Sequence, residues 1–307
     1  MNTLLNDFST ALADAVAGAD EAVVRVEARR RLPATGIVWS GDGVIITANH
    51  VVRHDEHINI GLGNREQVKA RLIGRDPTTD VAVLQADVGG LSPLVEAGKA
   101  DLAVGQFTLA LGRPGRHVQA TLGIISALGE QWRTRMGGPI DHYIHTDVVM
   151  YPGFSGGPLV DANGRLVGMN TSAAHPGVSL AIPTMTLARV AESLLAHGHI
   201  RRGYLGVSTQ RARLPEAVRE AVGQKSGLLI VSVEPGSPAE KGGLTLGDTI
   251  VALADQPVRR HDDLLALLTS ERVGQATPVK IVRGGQVQTL EVTLSERPKQ
   301  RTKRHRR

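Results

Sequence analysis

Apolar and polar residues alternate over short stretches along most of this chain. VVRVEARR at 23–30 has the period of a half-buried strand. Short apolar runs follow, each closed by turn residues: GIVW (36–39), GVIITA (43–48), HINIGLG (57–63), VKARLIG (68–74), DVAVLQA (80–86), FTLALG (107–112) and TLGIISAL (121–128). The pattern persists through YIHTDVVM (143–150), GGPLVD (156–161), GRLVGMNTS (164–172) and SLAIP (179–183). Strands of this length and spacing predict a β-barrel or sandwich. Two places break the pattern. Leu5, Phe8, Leu12 and Val16 recur at helical spacing near the start, and Leu187, Val190, Leu194 and Leu195 share a helical face over 184–200. Thr184 is expected to cap that second helix and Gly198 to end it. Beyond it lies a second β-rich unit of about 90 residues with two short helical patterns, PAEKGG and DDLLALLTSE.

Composition sharpens this picture. With 35 glycines and 15 prolines among 307 residues, many turns are expected, and 3% aromatics leave the packing to Val, Leu, Ile and Ala. The net charge of +5 invites a nucleic-acid reading, but residues 297–307 alone carry seven Lys or Arg and no acid. Without that tail the body stands at −2, so the basicity is terminal and no specific nucleic-acid partner is expected. There is no cysteine, which removes disulfides and thiolate metal sites. No run nears the roughly 20 apolar residues a transmembrane helix needs, and the first 20 residues hold three aspartates and no basic region of a signal peptide. A cytoplasmic protein is therefore the expectation, exported only if the start lies elsewhere. His54 and His57 stand three apart just after a strand, not at the i, i+4 spacing of a helical zinc motif; no metal and no cofactor is expected.

Three segments carry chemistry when taken together. His50 follows an apolar strand in GDGVIITANHVV, Asp80 opens another in DPTTDVAVLQ, and Ser155 sits in the glycine-rich turn YPGFSGGPLV. A serine hydroxyl needs a base within hydrogen-bond reach, and the base needs a third group to fix its tautomer. His50 would take the Ser155 proton, and Asp80 would hold the other imidazole nitrogen. Gly153 permits a bend that turns its own N–H and that of Ser155 toward one oxyanion, while Gly156 and Gly157 would leave room for substrate.

At these residues the chain resembles the HtrA (Deg) family of trypsin-fold serine proteases, from residue 20 to 295. ITANHVV, DPTTDVAVL and GFSGGPLVDANGRLVG match the family's three catalytic blocks in order, and SLAIPT the block after them. The resemblance implies a mostly β, chymotrypsin/trypsin-like double β-barrel, then a small α+β PDZ domain. It divides the chain into an N-terminal helix (1–20), a protease domain with its linker helix (21–200), a PDZ domain (202–295) and a basic tail (296–307). The PDZ assignment rests on GYLGVS and on GLLIVSVEPGSPAEKGGLTLGDTIVALADQPV. Tyr204, Leu205, Gly206 and Val207 would bind a peptide's terminal carboxylate, with Leu205 and Val207 flanking an apolar pocket. Val149, six residues before Ser155, would floor the primary specificity pocket and favour aliphatic side chains. Segments 113–120 and 128–141, with Trp132, Arg133 and Arg135, would be the activation and sensor loops. The implied function is cleavage of misfolded or unstructured polypeptide in protein quality control and stress response, by a homotrimer assembled through Phe8 and Leu12. One departure is Phe154, where the family usually has Asn; its backbone is expected to matter more than its side chain. The alternative is a non-proteolytic peptide-binding chaperone on a protease scaffold.

Overall fold

The computed structural model describes residues 2–30, 32–63, 67–134, 136–173 and 179–296. Arg135 and the basic tail from 297 onward lie outside them. The chain divides into two compact units, Met1–Ile200 and Arg201–Arg307.

In the first unit the alternating segments become two closed six-stranded barrels. One is built from β1 (Val23–Glu27), β2 (Ala34–Val38), β3 (Val44–Ala48), β4 (Ile58–Gly61), β5 (Gln67–Asp76) and β6 (Val81–Ala86), in the order β1-β2-β3-β6-β5-β4. The other holds β7 (Phe107–Gly112), β8 (Gln119–Gly129), β11 (Tyr143–Thr146), β12 (Pro158–Asp161), β13 (Leu166–Thr171) and β14 (Ser179–Pro183). A two-stranded ribbon of β9 (Trp132–Arg133) and β10 (Pro139–Ile140) lies within the stretch expected to be a loop. Closure leaves these strands no free edge. Val and Ile dominate the first interior, because β-branched side chains pack well on a pleated surface; Ile37, Ile45, Ile46, Ile60 and Leu84 are fully buried there, while Ala110, Ile144, Leu159, Val167 and Ala181 are buried in the second.

Two helices brace the barrels. α2 (Thr184–His197) buries Leu187, Val190, Ala191 and Leu194 in the first barrel's core. Each such leucine or valine contributes ~1.5–3 kcal/mol before ordering costs. Gly198 ends the helix at φ +71°, its N–H bonded to Leu194 O, as its sequence position predicts. Two details differ. Pro183, not Thr184, is the N-cap, and Leu195 stands 45% exposed while Ala191 takes its place on the buried face. The stripe expected of four large residues is narrower, because a position four after Leu187 falls closer to the barrel than one eight after it. α1 (Asn2–Ala19) packs through Leu12, Ala15, Val16 and Ala19 against Val23, Leu109, Leu111 and Val160. Its first turns run past the barrel, leaving Leu4 and Leu5 exposed and Phe8 leaning on Phe107 at 5.1 Å.

The second unit pairs β15 (Gly203–Tyr204) with β22 (Ser295–Glu296). Its main sheet runs β16 (Val207–Arg213), β17 (Ser226–Val233), β18 (Thr249–Leu253), β20 (Ala276–Arg283), β21 (Gln286–Thr293), with β19 (Gln256–Pro257) beside β18. Three short helices accompany it: α3 (Glu216–Val222), α4 (Pro238–Lys241) and α5 (His261–Leu267). α4 and α5 fall on the two helical patterns; α3, in LPEAVREAVG, is an addition the sequence reading missed.

Candidate active site

His50 sits in a single helical turn that ends β3, and Asp80 sits in the turn leading into β6, the strand beside it. Sheet pairing alone thus brings residues 30 apart in sequence together. Asp80 adopts φ +59°, a left-handed conformation that Asp tolerates better than most residues. That bend turns its carboxylate back onto His50. Oδ1 accepts the His50 backbone N–H at 2.9 Å and Oδ2 accepts Nδ1–H at 2.8 Å. The second barrel adds a third donor, Thr171 Oγ1 at the end of β13, 2.5 Å from Oδ2. Three donors on one buried carboxylate hold it in place and orient the imidazole, with Nδ1 as the donor to Asp80 and Nε2 left free to accept a proton.

Ser155 comes from the turn before β12. Thr35 of the first barrel clamps that turn: its Oγ1 donates to Gly153 O at 2.7 Å and accepts the Arg113 N–H at 2.8 Å, and its backbone N–H donates to Ser155 O at 3.3 Å. Phe154 N–H bonds Tyr151 O at 3.0 Å, so the Gly153–Phe154 peptide is held on both sides. Gly153 has φ +97°, and a side chain there would meet Pro114 and Pro33. Among the described residues the N–H groups of Gly153 and Ser155 have no hydrogen-bond acceptor, leaving two donors for an oxyanion. The Ser155 hydroxyl pairs with Ser172 Oγ at 3.1 Å, and among the described residues His50 Nε2 has no partner. The geometry is thus an oriented Asp–His pair on the first barrel and, on the second, a serine whose hydroxyl is paired with Ser172.

Several expectations change. Gly156 and Gly157 make room for the protein's own backbone, not for substrate. A Cβ on Gly156 would stand 2.2 Å from Thr35 O and 2.3 Å from Thr47 Oγ1, and one on Gly157 would stand 2.1 Å from Leu111 O. Phe154 acts through its side chain as well as its backbone: the ring is fully buried, edge-on to Tyr151 at 5.8 Å and seated over Gly112. Val149 is not a buried pocket floor. It is 56% exposed, its carbonyl taken by Thr121 Oγ1, while Val148 packs inward.

Thr35, Arg113, Thr171 and Ser172 escaped the sequence reading, since each lies far in sequence from the residue it holds. Arg113 is 2% exposed and bonds Val23 O, Arg116 O and Asp20, tying the segment after β7 to the base of α1.

In the second unit, Gly206 has φ +83° and lies so close to Ser237 that a Cβ would approach it to 2.2 Å. Leu205 O and Gly206 O accept Ala239 N–H and Glu234 N–H, and Tyr204 OH donates to Glu234. Leu205 is 2% exposed, a core residue and not a pocket wall; Val207 is half-buried at the start of β16. Among the described residues β16 pairs with β17 alone, which leaves its outer edge without a neighbouring strand. His261, at the start of α5, reaches across with Nε2 2.7 Å from Thr209 O on that edge.

Two six-stranded barrels carrying a His–Asp pair and a glycine-bounded serine, followed by a six-stranded sheet, have the architecture of a trypsin-like peptidase domain joined to a PDZ domain. The chain matches the trypsin-like peptidase domain family over residues 34–169 and the PDZ domain family over 203–294. It is 38% identical to "Probable periplasmic serine endoprotease DegP-like" of Ectopseudomonas mendocina (strain ymp) over 87% of this chain and 57% of that protein. A relative of the same description in Marinomonas sp. (strain MWYL1) is 36% identical over 89% and 59%. The chain thus spans less than two thirds of these relatives' length. Solved structures extend the match: the serine endoprotease from Yersinia pestis (TM-score 0.76, 30% identity, 94% of this chain, 98% of that one) and HtrA-type protease AlgW with decapeptide (TM-score 0.76, 29%, 94% and 99%). The chain belongs to the HtrA family of serine proteases. One expectation is overturned by these relatives: their periplasmic description, at such coverage of this chain, contradicts a cytoplasmic location. Among the described residues no helix is long and apolar enough to cross a membrane.

Proposed function

We propose that this chain is a periplasmic endopeptidase that cleaves unfolded polypeptide in protein quality control, with Ser155 as nucleophile and His50 as base. The observation that carries the reading is the His50 ring held by the Asp80 carboxylate, which itself takes three hydrogen bonds. Rotation of the Ser155 hydroxyl away from Ser172 delivers its proton to Nε2; attack on the substrate carbonyl then places the oxyanion at the free N–H groups of Gly153 and Ser155. His50 returns the proton to the leaving amine, and water completes the cycle through the same base. Asp80 stabilises the imidazolium at each turn.

The PDZ domain docks peptide C-termini at residues 204–207, with Gly206 shaping the carboxylate loop and β16 receiving the strand. The exposed start of α1, with Phe8 leaning on Phe107, supports assembly of a homotrimer; Phe8→Asp is expected to give monomers in sedimentation velocity.

The Ser155–Ser172 contact also fits a non-proteolytic scaffold on the same fold. Casein hydrolysis and fluorophosphonate labelling by wild type and Ser155→Ala decide between the two. The endopeptidase labels, and loses on the order of 10^4-fold in turnover in the variant. Equal, negligible activity of both proteins overturns the reading.

A further inference from the structure

The far end of β16 and the helix after it build a basic cavity. Arg211, Ala212, Arg213, Arg219, Lys225 and Ser226 line a volume of about 520 Å³. Arg219 Nε is spent on Leu214 O at 2.6 Å, and Arg211 reaches Ser226 Oγ at 3.5 Å. Among the described residues none of the four cations has an acidic partner, in a body whose net charge without the tail is −2. Four like charges gathered without a counterion repel one another and raise the local potential.

Strand register says what passes this cavity. Thr209 pairs with Ile230, whose N–H and C=O are both committed to the opposite side, to Asp248 O and Gly247 N–H. The Thr209 backbone groups therefore point to the free edge, as the His261 contact with Thr209 O also demands. Alternation gives the same outward direction to Arg211 and Arg213, and the Glu234 N–H bond to Gly206 O gives it to Val207. A peptide whose carboxylate lies at 204–206, the beginning of β16, must run antiparallel to that strand. Its last residue then stands beside Val207, its third-from-last beside Thr209, displacing His261 from the carbonyl, its fifth-from-last beside Arg211 and its seventh-from-last beside Arg213. Residues directly opposite in a sheet put their side chains on the same face.

We propose that this PDZ groove selects polypeptide C-termini with acidic residues at the fifth and seventh positions from the end, received by Arg211, Arg213, Arg219 and Lys225. The proposal rests on the C-terminal docking read above. Guanidinium groups suit such ligands because they offer paired, planar donors to a carboxylate.

The test uses the full chain with Ser155→Ala, so that peptides survive, and fluorescein-labelled decapeptides sharing four apolar C-terminal residues. Glu at positions five and seven is expected to bind about tenfold tighter than Gln in low salt (about 1.4 kcal/mol), the gap closing in high salt. Arg211→Gln with Arg213→Gln removes the gap and leaves the Gln peptide's affinity intact. Arg211→Glu with Arg213→Glu reverses the preference toward Lys at the same positions, an outcome a misfolded variant cannot give. Equal binding of Glu and Gln peptides, with amidation of the C-terminus abolishing both, overturns the proposal and leaves C-terminal docking standing. Equal binding of free-acid and amidated peptides overturns the docking reading and the proposal with it.

Discussion

Thr35→Val isolates the clamp between the first barrel and the oxyanion turn. Valine keeps the shape and removes only the hydroxyl, so two buried backbone groups, Gly153 C=O and Arg113 N–H, lose their partner at once. Each such group left unpaired costs about 1–3 kcal/mol, so the variant is expected to lose about 2–6 kcal/mol, toward the lower end if the turn relaxes. For a unit of this size 2 kcal/mol corresponds to a Tm lowered by roughly 4–8 °C. Relaxation has a catalytic consequence, because it tilts the peptides that carry the two oxyanion donors. Complete removal of one donor costs about 100–1000-fold in turnover. Tilting should cost less, with kcat down about 10–100-fold and KM changed little, measured with a labelled unstructured substrate. Thr35→Ser, which keeps the hydroxyl, should recover most of both. A lowered Tm with wild-type kcat would refute the link from Thr35 to the oxyanion geometry; wild-type values of both would refute the clamp itself.

Other outcomes follow from the same contacts. Gly156→Ala forces a Cβ onto Thr35 O and Thr47 Oγ1 at φ +89°, and is expected to abolish soluble expression or cost more than about 4 kcal/mol; a stable, active variant sinks the close-approach argument. Thr171→Val strips one charge-assisted bond from Asp80 and should lower kcat by roughly tenfold through looser hold on His50, checked by steady-state kinetics, with unchanged kcat as the adverse result. Asp248 is buried, which pushes its carboxyl up, but hydrogen bonds from Arg283 and Thr245 outweigh that and hold it below the usual carboxylate range. Its folded value lies below its unfolded one, so the stabilisation is complete above the ordinary carboxylate range and fades as pH falls through the lowered value. Asp248→Asn should destabilise the PDZ domain at pH 7, with the deficit against wild type shrinking in acid; a deficit constant from pH 7 to 2.5 in denaturant titrations contradicts the assignment.

Strand positions were legible in the sequence because short apolar runs bounded by turn residues mark them locally, whether the strand is half-buried like β1 or buried throughout like β2, β3 and β13. The His50–Asp80 hydrogen bond was foreseeable for a different reason: both residues sit in segments whose residue types have a chemical purpose when taken in order with that of Ser155. Gly198 was readable as a helix end because only the local φ decides it. The α1 stripe was readable too, but its partners were not: Leu12 and Val16 pack on the second barrel, Phe8 leans on Phe107, and Leu5 stays exposed.

Contacts between segments distant in the chain could come only from the fold. Thr35 lies 118 residues from the carbonyl it holds, and Thr171 lies 91 from Asp80; no local period connects such pairs. Whether Gly156 spares substrate or backbone depends on how near the first barrel comes, and whether Val149 faces inward depends on how the segment after β11 is held by Thr121. Sequence set which groups can do chemistry, since that is a property of side chains. Packing set which of them meet, since distance and direction exist only once two barrels close against each other.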